Sequence, residues 1–194
     1  MDKALSALLV TVFLLTGCTG MRLVDSQVNS FAPSSVPAGS RYRFERLPSQ
    51  QANPEAQARL ETMAELALAK VGLRRDDPVA RYSVQVSAIQ RAHYIALDRP
   101  ALGWNLGWMF GHGGVSVGGG GLFPGLDART NYWREVGLII RERTTQAVVF
   151  ESRATHDGPW SDSDAVLPAM LDAALQGFPN PPAGVRRVNI EIPR

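Results

Sequence analysis

The sequence predicts an α+β fold: a two-layer domain with one mixed β-sheet, two helices packed on one face, and a long Gly-rich insert between strands. Three patterns carry this reading. Apolar residues alternate with polar ones in short runs at 41–47, 82–88, 135–141, 148–154 and 187–192. Two longer runs, in 54–71 and 162–177, repeat their apolar residues at helical spacing. The order strand, helix, strand, insert, strand, strand, helix, strand mixes crossovers with a hairpin, as α+β layers do.

The N-terminus comes first. Lys3 is followed by an apolar run from Ala4 to Leu15 and then by Leu15-Thr16-Gly17-Cys18. The run is too short for a transmembrane helix, which needs about 20 residues, and fits the apolar region of a secretion signal. The last four residues resemble the lipobox of bacterial lipoproteins. That resemblance implies cleavage before Cys18, a thioether-linked diacylglycerol on its sulfur and an acyl chain (palmitate) on its new amine. Cys18 is the only cysteine of the chain. Exported proteins normally pair their cysteines, and acylation accounts for a single one. Thr19 stands where an Asp would retain a lipoprotein in the inner membrane. The expectation is therefore an outer-membrane lipoprotein facing the periplasm.

Removing residues 1–17 from the 194 leaves 177, enough for a single domain with a real core. Residues 18–40 are rich in Ser, Pro, Gln and Asn and are read as the lipidated N-terminus and a flexible tether, with Leu23 to Phe31 offering at most an edge strand. The α+β domain then occupies 41–194. The chain carries 20 basic and 18 acidic residues, for a net charge of +2. So mild a balance gives no basic stripe of the kind nucleic acid requires.

Tyr42 and Phe44 alternate with Arg41, Arg43 and Glu45 in the first strand of the domain, which Pro48 ends. Asn53-Pro54-Glu55 starts a helix: a side-chain cap, a residue preset for the first helical position, and a carboxylate at the positive end of the dipole. Leu60, Met63, Ala64, Ala67, Leu68 and Val71 form its apolar face, and Gly72 closes it. Tyr82, Val84, Val86 and Ala88 make the next strand, so strand–helix–strand predicts a parallel, right-handed crossover. The Gly/aromatic-rich loop 103–125 holds ten glycines. It contains no Gly-x-x-x-x-Gly-Lys-Ser/Thr and no Gly-x-Gly-x-x-Gly opening a helix, so it is not a phosphate loop. The runs around Val136-x-Leu138-x-Ile140 and Val148-x-Phe150 form a hairpin about Thr144-Thr145-Gln146. In the second helix Leu167, Met170, Leu171, Ala174 and Leu175 line one side. Pro168 has no amide proton, which predicts that the regular helix begins close to it. Val188, Ile190 and Ile192 complete the last strand.

These pieces, in this order behind a lipobox, resemble a bacterial family of lipoproteins known only as domain-of-unknown-function family 4136. The resemblance runs from about Tyr42 to Phe178. It implies no activity and no site.

Candidate chemistry is sparse. His93, His112 and His156 are far apart and in no metal-ligand spacing, and no metal or cofactor is expected. His93 or His156 with Asp98 or Asp157 is the only pairing that resembles a partial metal site. No serine lies in a Gly-x-Ser-x-Gly elbow. Asp76-Asp77 and Asp162-x-Asp164 sit where Asp caps helix or turn amides. The chain is accordingly expected not to be an enzyme. The best functional candidates are Cys18, for lipid attachment, and Trp104, Trp108, Phe110 and Phe123, for contact with a membrane, an envelope protein or a glycolipid. Tryptophan suits an interface because its ring is apolar with one polar handle. The rival reading is a small periplasmic hydrolase built on His156, Asp157, Asp162 and Asp164.

Overall fold

The computed structural model describes the backbone of residues 20–96 and 128–194, with side chains for 20–93 and 130–194. Cys18, Trp104, Trp108, Phe110, Phe123, Asp98 and His112 lie outside the described residues. Seven strands form one mixed sheet: β1 Met21–Phe31, β2 Arg41–Phe44, β3 Arg74–Arg75, β4 Tyr82–Ala96, β5 Ala128–Glu142, β6 Val148–Gly158 and β7 Val185–Pro193. Their spatial order is β3-β2-β4-β5-β6-β1-β7. Two long helices, α2 (Pro54–Lys70) and α3 (Ser163–Ala174), cover one face, and a short helix α1 (Pro48–Gln51) precedes α2. The α+β expectation holds, with one helix more than the two predicted.

The first crossover joins parallel strands, as the sequence predicts. β2 runs parallel to β4, with Tyr42 opposite Tyr82 and Phe44 opposite Val84. Asn53 caps α2 by accepting from the Ala56 amide, and Gly72 takes φ +86° just beyond the helix, a conformation that costs other residues strain. The strand stops at Phe44 rather than running to residue 47. Leu47 enters α1 instead, and its amide donates to the Gln50 side chain. The Gln50 and Gln57 side chains both donate to the Val86 carbonyl, so two amides occupy the edge of β4 just where β2 ends.

Residues 21–31 correct the sequence reading. They are neither tether nor edge strand: β1 lies between β6 and β7, antiparallel to both. Val24 and Val28 are fully buried, and Ser26 and Ser30 face the same way. The serines hid the strand, because Val-x-Ser-x-Val-x-Ser has the alternation of a strand without its hydropathy. Ser30 earns its place by bonding Ser152 of β6.

α3 brings a second correction. It begins at Ser163, so Pro168 lies inside the helix rather than at its start. The Asp164 carbonyl then has no amide to accept from one turn later. Burial offsets this, since Val166, Met170, Leu171, Ala173 and Ala174 are all at 0% exposure. A fully buried Leu or Met contributes about 1.5–3 kcal/mol by its removal from water.

β4 and β5 are longer than predicted. They pair without a break from Tyr82–Glu142 to Ala96–Ala128 and form the two arms that lead into and out of residues 97–127. β5 and β6 form the expected hairpin, with Gln146 at φ 59° in its turn.

An interior β1 makes a sharp forecast for urea unfolding of the domain. Val28→Asp, which buries a carboxylate among apolar side chains, is expected to cost more than about 3 kcal/mol. Gln27→Ala, on the exposed side of the same strand, should stay within about 0.5 kcal/mol. Equal, negligible effects would return the segment to a tether.

Candidate functional site

The register brings several chain segments to one end of the sheet. Gln27, Thr155, Glu135 and Ile89 stand side by side across β1, β6, β5 and β4. From that row β1 runs back six residues to Met21, β5 back seven to Ala128 and β4 on seven to Ala96. At about 3.3 Å per residue these ends are level to within one residue along the strand direction. Pro193 of β7 pairs with Met21, and the Arg194 amide donates to the Gly20 carbonyl. The start of β1, the end of β7 and both arms of the long hairpin therefore share one pole.

Trp160 sits in this pole, in the loop between β6 and α3. Two guanidiniums lie against its ring, Arg22 at 5.1 Å from the centroid and Arg194 at 5.9 Å. Cations favour the negative π-face of indole, and burial of the ring edge strengthens the contact. Arg22 also grips Asp162 through two parallel bonds of 2.8 and 2.7 Å. These hydrogen bonds pull the Asp162 carboxyl below its ordinary value. Asp162 stands at the N-cap of α3 but its side chain makes no capping bond, because Arg22 takes it. Asp76 and Asp77 are likewise paired with arginines, Arg41 and Arg75. The capping role expected for these carboxylates thus gives way to ion pairing.

Below Trp160 lies Arg134 of β5, fully buried among the core side chains. Its Nη2 donates to the Trp160 carbonyl at 2.8 Å and to Ser163 Oγ at 3.2 Å, and its Nε donates to Gln90 Oε1 at 3.2 Å. Ser163 Oγ donates to the same Gln90 oxygen. All these acceptors are neutral, so burial pulls the guanidinium below its ordinary value, yet arginine stays charged at neutral pH. The planar fork ties β4, β5 and the start of α3 to the loop that carries Trp160.

The residues of the rival hydrolase do not converge. His156 faces the helix layer, where its Nδ1–H donates to the Asp25 carbonyl at 2.7 Å. Its Nε2 is buried and unpartnered among the described residues, pressed over Gly158, where a Cβ would come within 2.7 Å of it. Asp157, the next residue along the strand, points to the other face and lies 3.4 Å from His93 Nε2. Asp162 is engaged by Arg22, and Asp164 lines a separate groove. Among the described residues, His93 and Asp157 are the one histidine–carboxylate pair of the sequence reading that comes together. Among the described residues no three potential ligands gather around one point.

That groove, of about 550 Å³, opens between the start of α2, β4 and α3, and is lined chiefly by Leu47, Ala56, Leu60, Met63, Ala88 and Leu167. Its volume is that of a small-ligand cleft. Arg46 and Glu61 form a two-point ion pair beside its apolar lining, at 2.6 and 2.7 Å.

Sequence reasoning missed Arg22, Arg134 and Trp160. Arg22 fell within the supposed tether. Arg134 stands two residues before Val136, on the same side of the strand, and its sequence neighbours give no sign of its partners. Trp160 stood in a linker before a helix; a lone tryptophan beside Pro159 in a polar loop was the available signal.

The depressed Asp162 carboxyl gives a pH signature. A carboxyl with a folded value below its ordinary 3.8 contributes stability above that pH and loses it as pH falls through the folded value. Denaturant unfolding of Asp162→Asn should therefore show a lower stability than the parent at pH 6 and 7, with the gap closing below about pH 4. A gap independent of pH would mean that Asp162 acts through packing alone.

The fold is shared by a PDZ domain protein from Parabacteroides distasonis ATCC 8503, with TM-score 0.53 and 15% identity over 94% of this chain and 41% of that one. At such identity the likeness concerns the fold alone. The chain spans about two fifths of that protein's length. The PelC dodecamer from Paraburkholderia phytofirmans aligns with 81% of this chain and 99% of its own, at 12% identity and TM-score 0.48. No curated protein matches the chain. Residues 25–180 match the model of the family described as domain of unknown function DUF4136, and the chain belongs to that family.

Proposed function

We propose that this protein is a lipid-anchored envelope protein with a noncatalytic binding or assembly role. Cys18 carries the lipid, and the periplasmic side of the outer membrane holds the domain. The observation that supports the reading most directly is the order Lys3, apolar run, Leu15-Thr16-Gly17-Cys18, standing three residues ahead of the first strand. The scattering of His156, Asp157, Asp162 and Asp164 over both faces and one ion pair favours this over the hydrolase. The aromatic residues Trp104, Trp108, Phe110 and Phe123 are the contact through which the domain meets its protein or glycolipid partner. The long hairpin supports that assignment, because two paired arms fix where the chain enters and leaves 97–127.

Two experiments test these assignments. Metabolic labelling with a palmitate analogue, with mass measurement of the mature N-terminal peptide, should find acyl chains on Cys18 in the parent. Cys18→Ser should remain uncleaved and unlabelled. An unmodified cysteine would refute the anchor. Photoreactive residues at 104, 108 and 110 should capture one dominant protein or lipid adduct in cells, and scattered low-yield adducts would refute the contact.

A further inference from the structure

We infer that the pole formed by Met21, Arg22, Leu23, Trp160, Ser161 and Arg194 lies against the phospholipid headgroups of the anchoring membrane, with the strands of the sheet running away from the bilayer. This rests on the lipid anchor at Cys18 and says how the domain sits on it. The argument begins with reach. The sequence suggested a tether of some twenty residues, which would let the domain tumble freely. The structure leaves only Thr19 and Gly20 between Cys18 and β1. Three residues, fully extended, span at most about 11 Å. A domain whose first strand starts that close to its lipid presents the end of that strand to the membrane.

The chemistry of the pole fits the interface. Met21 and Leu23 are 51% and 49% exposed, large apolar side chains on the outer end of β1. Trp160 is half-buried, with its ring held by two arginines. Tryptophan and arginine suit the boundary layer, the ring among the glycerol and upper acyl groups and the exposed Arg194 guanidinium on phosphate oxygens, while Arg22 stays paired with Asp162 and holds the ring in place. Arg134 fixes the Trp160 carbonyl from below, so the ring is presented by a pinned loop rather than a loose one. The opposite end of the sheet has exposed apolar residues of its own, Phe31 at 64% and Val185 at 70%, and an arginine over Tyr82. Reach therefore decides between the two ends: Phe31 lies at the far end of β1, about 33 Å beyond Met21. That end also holds the β5–β6 turn, with Arg143, Thr144, Thr145 and Gln146 exposed to solvent.

The test uses the full-length acylated protein. Acylation occupies Cys18, the only native cysteine, so an introduced cysteine is the only free thiol. Ser161→Cys at the pole, and Thr144→Cys and Ser34→Cys at the far end, all at exposed positions, are each labelled with bimane. The proteins are placed in vesicles of phosphatidylethanolamine and phosphatidylglycerol that contain a headgroup-nitroxide lipid. β6 alone separates the two ends by about 33 Å, so quenching at 161 should exceed quenching at 144 and 34 at least about threefold. Equal quenching at all three sites, or stronger quenching at 144 or 34, would overturn the orientation. The mass of the N-terminal peptide separates the two levels. Acylated protein with an unquenched Ser161 label overturns the orientation alone, whereas a missing acyl mass overturns the anchor itself.

Discussion

β1 has a hydrogen-bonded neighbour on each side, β6 through Gln27–Phe31 and β7 through Met21–Asn29, and the architecture of the domain depends on that double pairing. Without β1 the sheet would divide into a block built on the long β4–β5–β6 meander and an isolated β7. With it, Val24 and Val28 join Ala154 and Val188 under α3 in one continuous core. α3 touches β1, β5, β6 and β7 at once, and so depends on their register more than on its own propensity. A helix with an internal proline and no side-chain cap is a poor helix in isolation. It persists because five of its residues are withdrawn from water by the sheet beneath it.

The same register organises the polar interior. Arg134 and His156 are cross-strand partners on the helix side of the sheet, one layer above the apolar rows of Val136 and Ala154. Each replaces hydrocarbon with a hydrogen-bonding group that fixes a loop or a neighbouring strand: Arg134 the Trp160 loop, His156 the carbonyl of Asp25 in β1. Apolar side chains fill the middle of the sheet, and these two close its upper end. That division ties the pole to the sheet at two backbone carbonyls, those of Trp160 and Asp25, although loops and strand ends compose it. Buried polar groups stabilise little on balance, but an unpaired one is costly, and this penalises every alternative position of the loop.

Much of the sheet was legible in the sequence, for stated reasons. β4, β5, β6 and β7 carry Val, Leu, Ile and Phe at alternate positions, and α2 has a signalled start in Asn53-Pro54 and a signalled stop in Gly72. What escaped had a common cause, in that tertiary context replaced the expected local signal. β1 alternates Val with Ser, so its pattern is one of shape rather than hydropathy. The arms of the hairpin beyond Ala88 and before Tyr132 contain Gln90, Arg91, His93 and Asn131, polar residues that pair because their inner ends are already aligned. Asp162 reads as a helix cap on any local rule, yet a bidentate arginine about 140 positions away takes it. No window of neighbouring residues contains that information.

The placement of β1 also bears on how the chain reaches its native state. Met21 pairs with Pro193 and Asn29 with Val185, so the strand that emerges first finds one of its two neighbours only when the last strand has arrived. Contacts this far apart in sequence carry a large loop-closure entropy and form late. A polypeptide handed over N-terminus first therefore keeps β1 without its second neighbour, and the sheet without its last two strands in place, until nearly all of it has passed. Were the chain exported as proposed, such a topology would delay completion of the sheet by its own connectivity.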